Sequence, residues 1–221
     1  MKTQRFILLH AAAGLWLGAQ IAAADVPNSV NSPVTGGIQL AGSSSGVTDS
    51  RCELDVTVRD AANNPKQLCT VTLHFGSCAG ADLHLAATQS FPGMAFNCAA
   101  QTASAVTDAQ GVARFRILGS ASAGPGNPPG LTSPCVLVDG NGVILNSGNR
   151  VRLAAYDLDG ANGVTAADEA LFMSTLFASP AGYRERADYN GDGVCNSADL
   201  ARIMGVLIAG GSVTSAASLC F

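Results

Sequence analysis

Oxygen-bearing side chains at regular intervals in the last third of the chain are the residues best suited to chemistry. The run 188–199 has a metal-binding oxygen at positions 1, 3, 5, 7, 9 and 12 and Gly193 at position 6. This is the spacing of a twelve-residue Ca²⁺ loop, in which the glycine makes a sharp turn and oxygens surround the hard cation. We name this run loop 2. Its candidate ligands are Asp188, Asn190, Asp192, the backbone carbonyl of Val194, Asn196 and Asp199.

A second copy of the pattern, loop 1, lies 31 residues earlier at 157–168 (188 less 157). Its position 5 is Ala161, which has no side-chain oxygen. Position 6 is Asn162, and asparagine tolerates a left-handed backbone better than most residues. Water could replace the missing ligand, so we expect Ca²⁺ to bind loop 1 more weakly than loop 2, and the alternative is an empty loop 1. The candidate ligands of loop 1 are Asp157, Asp159, the carbonyl of Gly163, Thr165 and Asp168.

An acidic, glycine-rich run is most often a solvated turn, so this alternative has to be weighed for both loops. From Asp157 onward the chain has eight Asp or Glu against three Arg. Such a local excess indicates either a solvated face or cation ligands. The complete pattern of loop 2 and its second copy favour the ligand interpretation.

Each loop is followed by a segment with the apolar spacing of a short helix. The two segments correspond at the same offset, so two short helices could pack by these stripes and hold both loops. The stripe residues are Phe172, Met173, Leu176 and Phe177 after loop 1, and Ile203, Met204, Leu207 and Ile208 after loop 2. The segment before loop 1, Arg150–Tyr156, alternates like a strand. The sequence therefore predicts a small α module of two loop-helix calcium-binding repeats.

This arrangement resembles the dockerin type I domain over about residues 156–210, on the strength of the D-x-N-x-D-G-x-x-N-S-x-D run of loop 2. The resemblance implies a fold around two Ca²⁺ ions (F-hands) and docking of an exported protein onto a cohesin, often for polysaccharide degradation. One departure is Ala161. The other is that positions 10 and 11, which read the cohesin in dockerins, are Ala166-Ala167 and Ser197-Ala198 instead of a Ser-Thr type.

Residues 51–156 have the period-two pattern of half-buried strands. Leu54, Val56 and Val58 alternate with polar residues, and further short strands follow between turn signals, which predicts an antiparallel β-sandwich. The stretch 54–65, and the T-D-x-x-G-x-x-x-F run at 107–115, resemble bacterial immunoglobulin-like and carboxypeptidase-regulatory-like domains. That resemblance implies a mainly β, immunoglobulin-like sandwich and assigns no chemistry.

The ends of the chain predict export. Residues 1–24 have a basic start, an apolar segment too short to span a bilayer, and small residues at a cleavage site, which is typical of a signal peptide. We expect a flexible leader at 25–50, with a short strand near Ile38–Leu40, and a tail at 211–221. We expect no membrane span in the mature chain. Only one lysine, Lys66, follows the signal peptide, and no basic face indicates nucleic-acid binding.

All seven cysteines follow the predicted signal peptide, and their odd number leaves at least one outside any intrachain disulfide. Cys195 is predicted either to bridge Cys220, which we favour, or to remain a buried thiol. Cys52 and Cys69 open neighbouring predicted strands and are candidates to pair.

The sequence shows no pattern typical of an enzyme. His74 and His84, the only histidines after the signal peptide, lie in strand-like alternation, and no G-x-S-x-G, H-E-x-x-H or Walker loop occurs. We expect a secreted, extracellular or cell-surface, non-catalytic protein whose module docks to a cohesin-like or other extracellular partner. The alternative is an adhesion or surface-binding protein whose module serves only stability. A hydrolase or carbohydrate-binding module ranks last.

Overall fold

A computed structural model describes residues 25–40, 52–78, 83–121, 134–161, 163–177, 187–190, 192, 194–208 and 220. The predicted signal peptide, the second part of the leader and all of the tail except Cys220 lie outside the described residues. Neither described helix has the length and hydropathy needed to cross a bilayer.

The described part of the chain is mainly β, with one five-stranded sheet, three two-stranded sheets and two helices at the end. The strands are β1 Gly37–Leu40, β2 Glu53–Thr57, β3 Thr70–His74, β4 Leu83–Leu85, β5 Met94–Asn97, β6 Thr102–Val106, β7 Val112–Arg116, β8 Gly119–Ala121, β9 Leu137–Gly140, β10 Val143–Ile144 and β11 Arg152–Ala155. The helices are α1 Ala166–Phe177 and α2 Ser197–Ile208.

The five-stranded sheet has the order β10-β9-β3-β6-β5 and is antiparallel throughout. β2 pairs with β7 and β4 with β8, also antiparallel. The predicted alternation is confirmed: Val71 and Leu73 of β3 are buried, whereas Thr70 is exposed. Ala113 and Phe115 of β7 likewise point into the same apolar core. Full burial of one such large side chain stabilises the fold by about 1.5–3 kcal/mol.

β1 departs from the flexible leader that the composition predicts. Ile38 and Leu40 are buried, and β1 pairs in parallel with β11 in the register Leu40↔Ala155. The short strand near Ile38–Leu40 is confirmed. Residues 37–40 are held because their apolar side chains enter the core and their backbone completes a sheet with β11. β11 leads directly into loop 1.

The disulfides differ from the expected pairs. The structure joins Cys78 to Cys135 and Cys98 to Cys220. Cys220 packs on the core of the β strands, where its N–H donates to the carbonyl of Leu85 (2.7 Å), whereas Cys195 packs on a second core around the helices. The predicted bridge between Cys195 and Cys220 is therefore absent from the described residues.

The second expected pair, between Cys52 and Cys69, is not formed either. β2 pairs with β7, while β3 lies between β6 and β9, so the two strands are not neighbours in a sheet. Cys52 accordingly belongs to the core around the helices and Cys69 to the core of the β strands. Both remain thiols, and so does Cys195. The alternative prediction for Cys195, a buried thiol, is confirmed in its thiol state, but the side chain is half-buried.

The helices begin and end at the same 31-residue offset (197 less 166, 208 less 177). Phe172 and Ile203 of the predicted stripes are buried at equivalent positions. Ile208 differs, because it is the last residue of α2 and is 80% exposed, and Val206 is buried in its place. Leu176 and Leu207 of the predicted stripes are partly buried against the same core, so both helices pack through their stripes, with Ile208 as the exception.

Candidate metal centre

The two loops are built on one hydrogen-bond pattern, repeated at the 31-residue offset. The carboxylate at position 12 accepts bonds from the N–H groups of positions 2 and 3, which ties the start of each loop to the following helix. In loop 1 Asp168 Oδ1 accepts from Leu158 (2.6 Å) and Asp159 (3.2 Å). In loop 2 Asp199 Oδ1 accepts from Tyr189 (2.8 Å) and Asn190 (3.1 Å).

The same carboxylates also cap the helices. Asp168 Oδ2 accepts from the N–H of Thr165 (2.7 Å), and Thr165 Oγ1 accepts from the N–H of Ala167 (3.2 Å). In loop 2 Asn196 donates to Asp199 Oδ2 (2.9 Å) and accepts from Ala198 (2.7 Å). This is a reciprocal capping box with aspartate in the place of glutamate. Each carboxylate oxygen has two lone pairs. Asp199 Oδ2 therefore keeps acceptor capacity for a cation. Asp168 Oδ2 also accepts from the hydroxyl of Thr165 (3.1 Å), so a cation at Asp168 would take the place of that hydroxyl bond.

Loop 1 gathers three carboxylates. Asp157, Asp159 and Asp168 each offer one oxygen, and these oxygens lie within 4.8 Å of one another. The backbone of Asp157 is fixed to the β strands, because its carbonyl accepts from the N–H of Ala121 (2.8 Å). Gly163, whose carbonyl is the position-7 candidate, adopts φ +72°. The fold therefore brings together the acidic part of the ligand set predicted for loop 1.

The side-chain carboxyl of Asp157 is buried and only partly hydrogen-bonded. Its side chain is fully buried, Oδ1 accepts from the N–H of Gly160 (2.7 Å), and buried Oδ2 has no hydrogen-bond partner in the described structure. Burial, followed by the nearby charge of Asp168, raises the pKa of Asp157 to about 7. Burial also raises the pKa values of Asp168 and Asp199. A buried carboxylate is costly to ionise without a paired charge, so a cation is the natural complement to Asp157.

Loop 2 presents a more completely hydrogen-bonded set. The N–H of Asp192 donates to Asp188 Oδ1 (3.1 Å) and to Asn190 Oδ1 (2.9 Å), and the N–H of Val194 donates to Asp192 Oδ1 (2.8 Å). Asn190 provides an amide where loop 1 has Asp159. Asp188 Oδ2 lies 3.5 Å from Nη1 of Arg152, at the start of β11. The first three predicted ligands of loop 2 are thus joined by backbone hydrogen bonds beside an arginine of the β strands. The described carboxylates of loop 2 do not form a cluster as close as that of loop 1.

Aromatic rings join the loops to the β strands. Tyr156, directly after β11, stacks on Tyr189 of loop 2 with ring centroids 4.4 Å apart, and Phe172 of α1 stacks on the same ring at 6.0 Å. Tyr189 Oη donates to the carbonyl of Ala155 (3.1 Å), and Gln39 of β1 donates to the carbonyl of Tyr189. Tyr189 is therefore the point where β1, β11, α1 and loop 2 meet.

Sequence reasoning missed this aromatic contact and Arg152. Tyr189 occupies loop position 2, where loop 1 has Leu158, and both side chains are fully buried. A large, mainly apolar side chain at position 2 of both otherwise polar loops was the signal in the sequence that this position is buried. The sequence contains no signal for the role of Arg152, because its contact with Asp188 depends on how loop 2 folds back onto β11.

The residues present fit Ca²⁺ better than a softer metal. Both predicted sets consist only of oxygen ligands, which hard cations prefer: carboxylate and carbonyl oxygens in both loops, with a hydroxyl in loop 1 and amide oxygens in loop 2. The unpartnered Oδ2 of Asp157 is a buried acceptor that a cation would satisfy. Bound Ca²⁺ would be held by the predicted residues of each loop, and it would neutralise carboxylates that otherwise repel one another.

The pKa of Asp157 predicts how the calcium-free protein responds to pH. Its value rises from 3.8 to about 7 on folding, so between these values the folded chain keeps a proton that the unfolded chain has released. The contribution of Asp157 to stability is then fully present below pH 4 and is lost as pH rises to 7, by on the order of 2–4 kcal/mol. Urea unfolding in calcium-free buffer between pH 4.5 and 8 measures this change.

With saturating Ca²⁺ we expect the opposite slope over the same range. Protons then compete with the cation for Asp157, so stability should rise with pH. Asp60 and Asp108 do not confuse the comparison: their backbone hydrogen bonds lower their pKa values below 3.8, and their contribution is lost only in more acidic solution. Equal slopes with and without Ca²⁺ would contradict the assignment.

The histidines do not form a comparable centre. Nε2 of His74 lies 2.6 Å from Asp139 Oδ2 on the outward face of the five-stranded sheet. This pair joins β3 to β9, as a cross-strand contact does.

Comparison with known proteins gives no family model, no curated protein and no solved structure that matches this chain. What the loops can do is therefore inferred from their own geometry.

Proposed function

We propose that this chain is an exported, non-catalytic calcium-binding protein. In this proposal a dockerin-like module of two loop-helix repeats binds Ca²⁺ and is fixed against an immunoglobulin-like β-sandwich. The observation that carries the proposal is the buried carboxylate cluster of loop 1, with the unpartnered Oδ2 of Asp157 inside it. The duplicate hydrogen-bond pattern in loop 2 supports a second site of the same kind.

The contacts of the loops support a stabilising role for the ion. Asp157 and Asp188, at position 1 of each loop, both lie against the β strands, through Ala121 and Arg152 respectively. A cation that fixes these two carboxylates also fixes the strands they touch. The carboxylates within a loop repel one another when the loop folds, and a bound cation removes that repulsion. Metal binding and folding are therefore coupled.

Docking to a cohesin-like protein is the second candidate, and the exposure of the helix starts favours it. Ala166, Ala167, Ser197 and Ala198, at loop positions 10 and 11, are all exposed. These are the positions that the dockerin resemblance assigns to partner recognition. They are exposed whereas Tyr189 is fully buried, so a partner could bind them while the module stays on the β strands.

Hydrogen exchange on the mature chain tests the stabilising role. We expect Ca²⁺ to slow amide exchange in both loops and also in β1 and β11, because Tyr189 and Gln39 connect them. The Tyr189→Phe variant is the matched control, since it keeps the ring and loses only the bond to Ala155. Protection confined to residues 157–208 would contradict the stabilising role.

A binding assay tests the docking candidate separately. The mature chain would be passed over immobilised cohesins in Ca²⁺ and in chelator. Retention that needs Ca²⁺ and is lost in a variant carrying both Ala167→Arg and Ala198→Arg supports docking. Consistent failure to bind, while Ca²⁺ still protects β1 and β11, would remove docking and leave the stabilising role intact.

A further inference from the structure

A polar cleft of about 600 Å³ lies beside loop 2, on the β strands. It is formed by the segment before β1, at residues 34–36, and the segment before β11, at residues 147–150, together with Arg152. These two segments come together because β1 and β11 run in parallel, so the chain enters both strands at the same edge. A second cleft of about 290 Å³ continues along the same two segments.

The charged residues that line the larger cleft are all positive. Its ionisable residues are Arg150 and Arg152, and none of the residues that line it is acidic. Thr35, Ser147 and Asn149 add hydrogen-bonding groups. Two guanidinium groups with neighbouring hydroxyl and amide donors are the usual means of recognising an oxyanion, because arginine matches carboxylate, sulfate and phosphate oxygens in pairs.

Arg152 belongs to this cleft and to loop 2 at the same time. Its Nη1 is 3.5 Å from Oδ2 of Asp188, whose side chain is buried, while Arg152 itself is partly exposed. Arg150 differs, because its Nη1 donates to the neutral carbonyl of Cys135 (3.2 Å). Only one of the two arginines therefore divides its charge between the cleft and a candidate Ca²⁺ ligand.

We propose that this cleft binds a small oxyanion through Arg150 and Arg152, and that Ca²⁺ in loop 2 strengthens the binding. The coupling rests on the proposed function, since it needs Ca²⁺ at Asp188. When the cation neutralises Asp188, the charge of Arg152 becomes available to the cleft. When an anion engages Arg152, Asp188 is released to the cation. Linkage requires both effects to have the same magnitude.

Nuclear magnetic resonance titration of the ¹⁵N-labelled mature chain tests this inference. The probes are sulfate and glucuronate, which represent inorganic oxyanions and sugar carboxylates. Calcium-free samples are prepared on a chelating resin, because a soluble chelator is itself a polycarboxylate. Chloride at equal ionic strength is the baseline. We expect saturable shifts of the amides at 35–36 and 147–150, and a Kd about fivefold lower or more in saturating Ca²⁺.

Three variants separate the roles of the arginines. Arg150→Gln should raise the Kd about tenfold, both with and without Ca²⁺, because a charged hydrogen bond is lost. Arg152→Gln should raise the Kd and also remove the effect of Ca²⁺. Arg114→Gln, on β7 and paired with Asp108, should change neither and is the matched control.

The two proposals can fail independently. Saturable binding of either probe that weakens in Arg150→Gln supports the cleft, and binding of neither probe overturns it. A calcium effect that survives Arg152→Gln overturns the coupling. If Ca²⁺ shifts no amide in either loop, the proposed calcium sites fail, while titration in calcium-free buffer still decides whether the cleft binds an anion.

Discussion

Replacement of Asp157 by asparagine should stabilise the calcium-free protein and weaken the calcium-loaded one. The Asp157→Asn side chain keeps the acceptor for Gly160 and replaces unpartnered Oδ2 by an amide donor close to the carboxylates of Asp159 and Asp168. At pH 8 the wild type must ionise this buried carboxyl, so we expect a gain of about 1–3 kcal/mol in calcium-free buffer. Urea unfolding measures it.

The same variant should lose the stabilisation that Ca²⁺ gives to loop 1. With free Ca²⁺ at about 100 times its Kd, one site contributes about 2.7 kcal/mol. Asp139→Asn is the matched control, because this aspartate lies on the outward face of the β strands, at His74. Loss of stability in Asp157→Asn without Ca²⁺ would mean that the carboxylate has a purely structural partner, and loop 1 would not be a metal site.

Truncation of Tyr189 should cause the largest loss of stability of any single change in the module. Tyr189 is fully buried, stacks on Tyr156 and Phe172, and bonds to Ala155. Removal of a buried aromatic side chain costs about 3–5 kcal/mol. We expect Tyr189→Ala to lower the stability of β1 and β11 as well as that of the loops, as measured by urea unfolding and hydrogen exchange.

Two further variants define the origin of this loss. Tyr189→Phe should cost only about 1–3 kcal/mol, because it leaves the carbonyl of Ala155 without its hydroxyl partner but preserves the stack. Ile208→Ala, at an exposed position of α2, should change stability by less than about 0.5 kcal/mol. A small effect of Tyr189→Ala, comparable to that of Ile208→Ala, would show that the loops and the β strands are independent.

The local features of the site could be predicted from the sequence because they depend on neighbours along the chain. The ligand spacing of loop 2 recurs in loop 1 at an offset of 31 residues. The two predicted helices are found at the same offset. The alternation in β3 and β7 predicted which side chains are buried. Whether Ca²⁺ binds, and binds loop 2 more tightly, stays a prediction.

The contacts between distant segments could not be predicted in this way. The stack of Tyr156 on Tyr189 depends on how loop 2 returns to β11, and the pairing of β1 with β11 joins residues more than a hundred positions apart. Disulfide connectivity has the same difficulty, because the spacing of cysteines along the chain does not determine which ones meet. Cys98 and Cys220, which are 122 residues apart, illustrate the point.

These distant contacts also change the comparison of the two loops. Ligand count favours loop 2, since loop 1 has Ala161 at position 5. Charge favours loop 1, where three carboxylates converge, whereas Arg152 already lies against Asp188 in loop 2. The affinities of the two loops should therefore be closer to each other than the sequence pattern alone predicts.

Isothermal titration of Ca²⁺ into the metal-free mature chain tests the central claim most directly. Two bound ions per chain in the wild type, with one lost in Asp188→Ala and the other in Asp157→Asn, is the predicted result. Absence of binding heat at several temperatures, together with a melting temperature that does not change on addition of Ca²⁺, would contradict it and leave the two loops as helix caps alone.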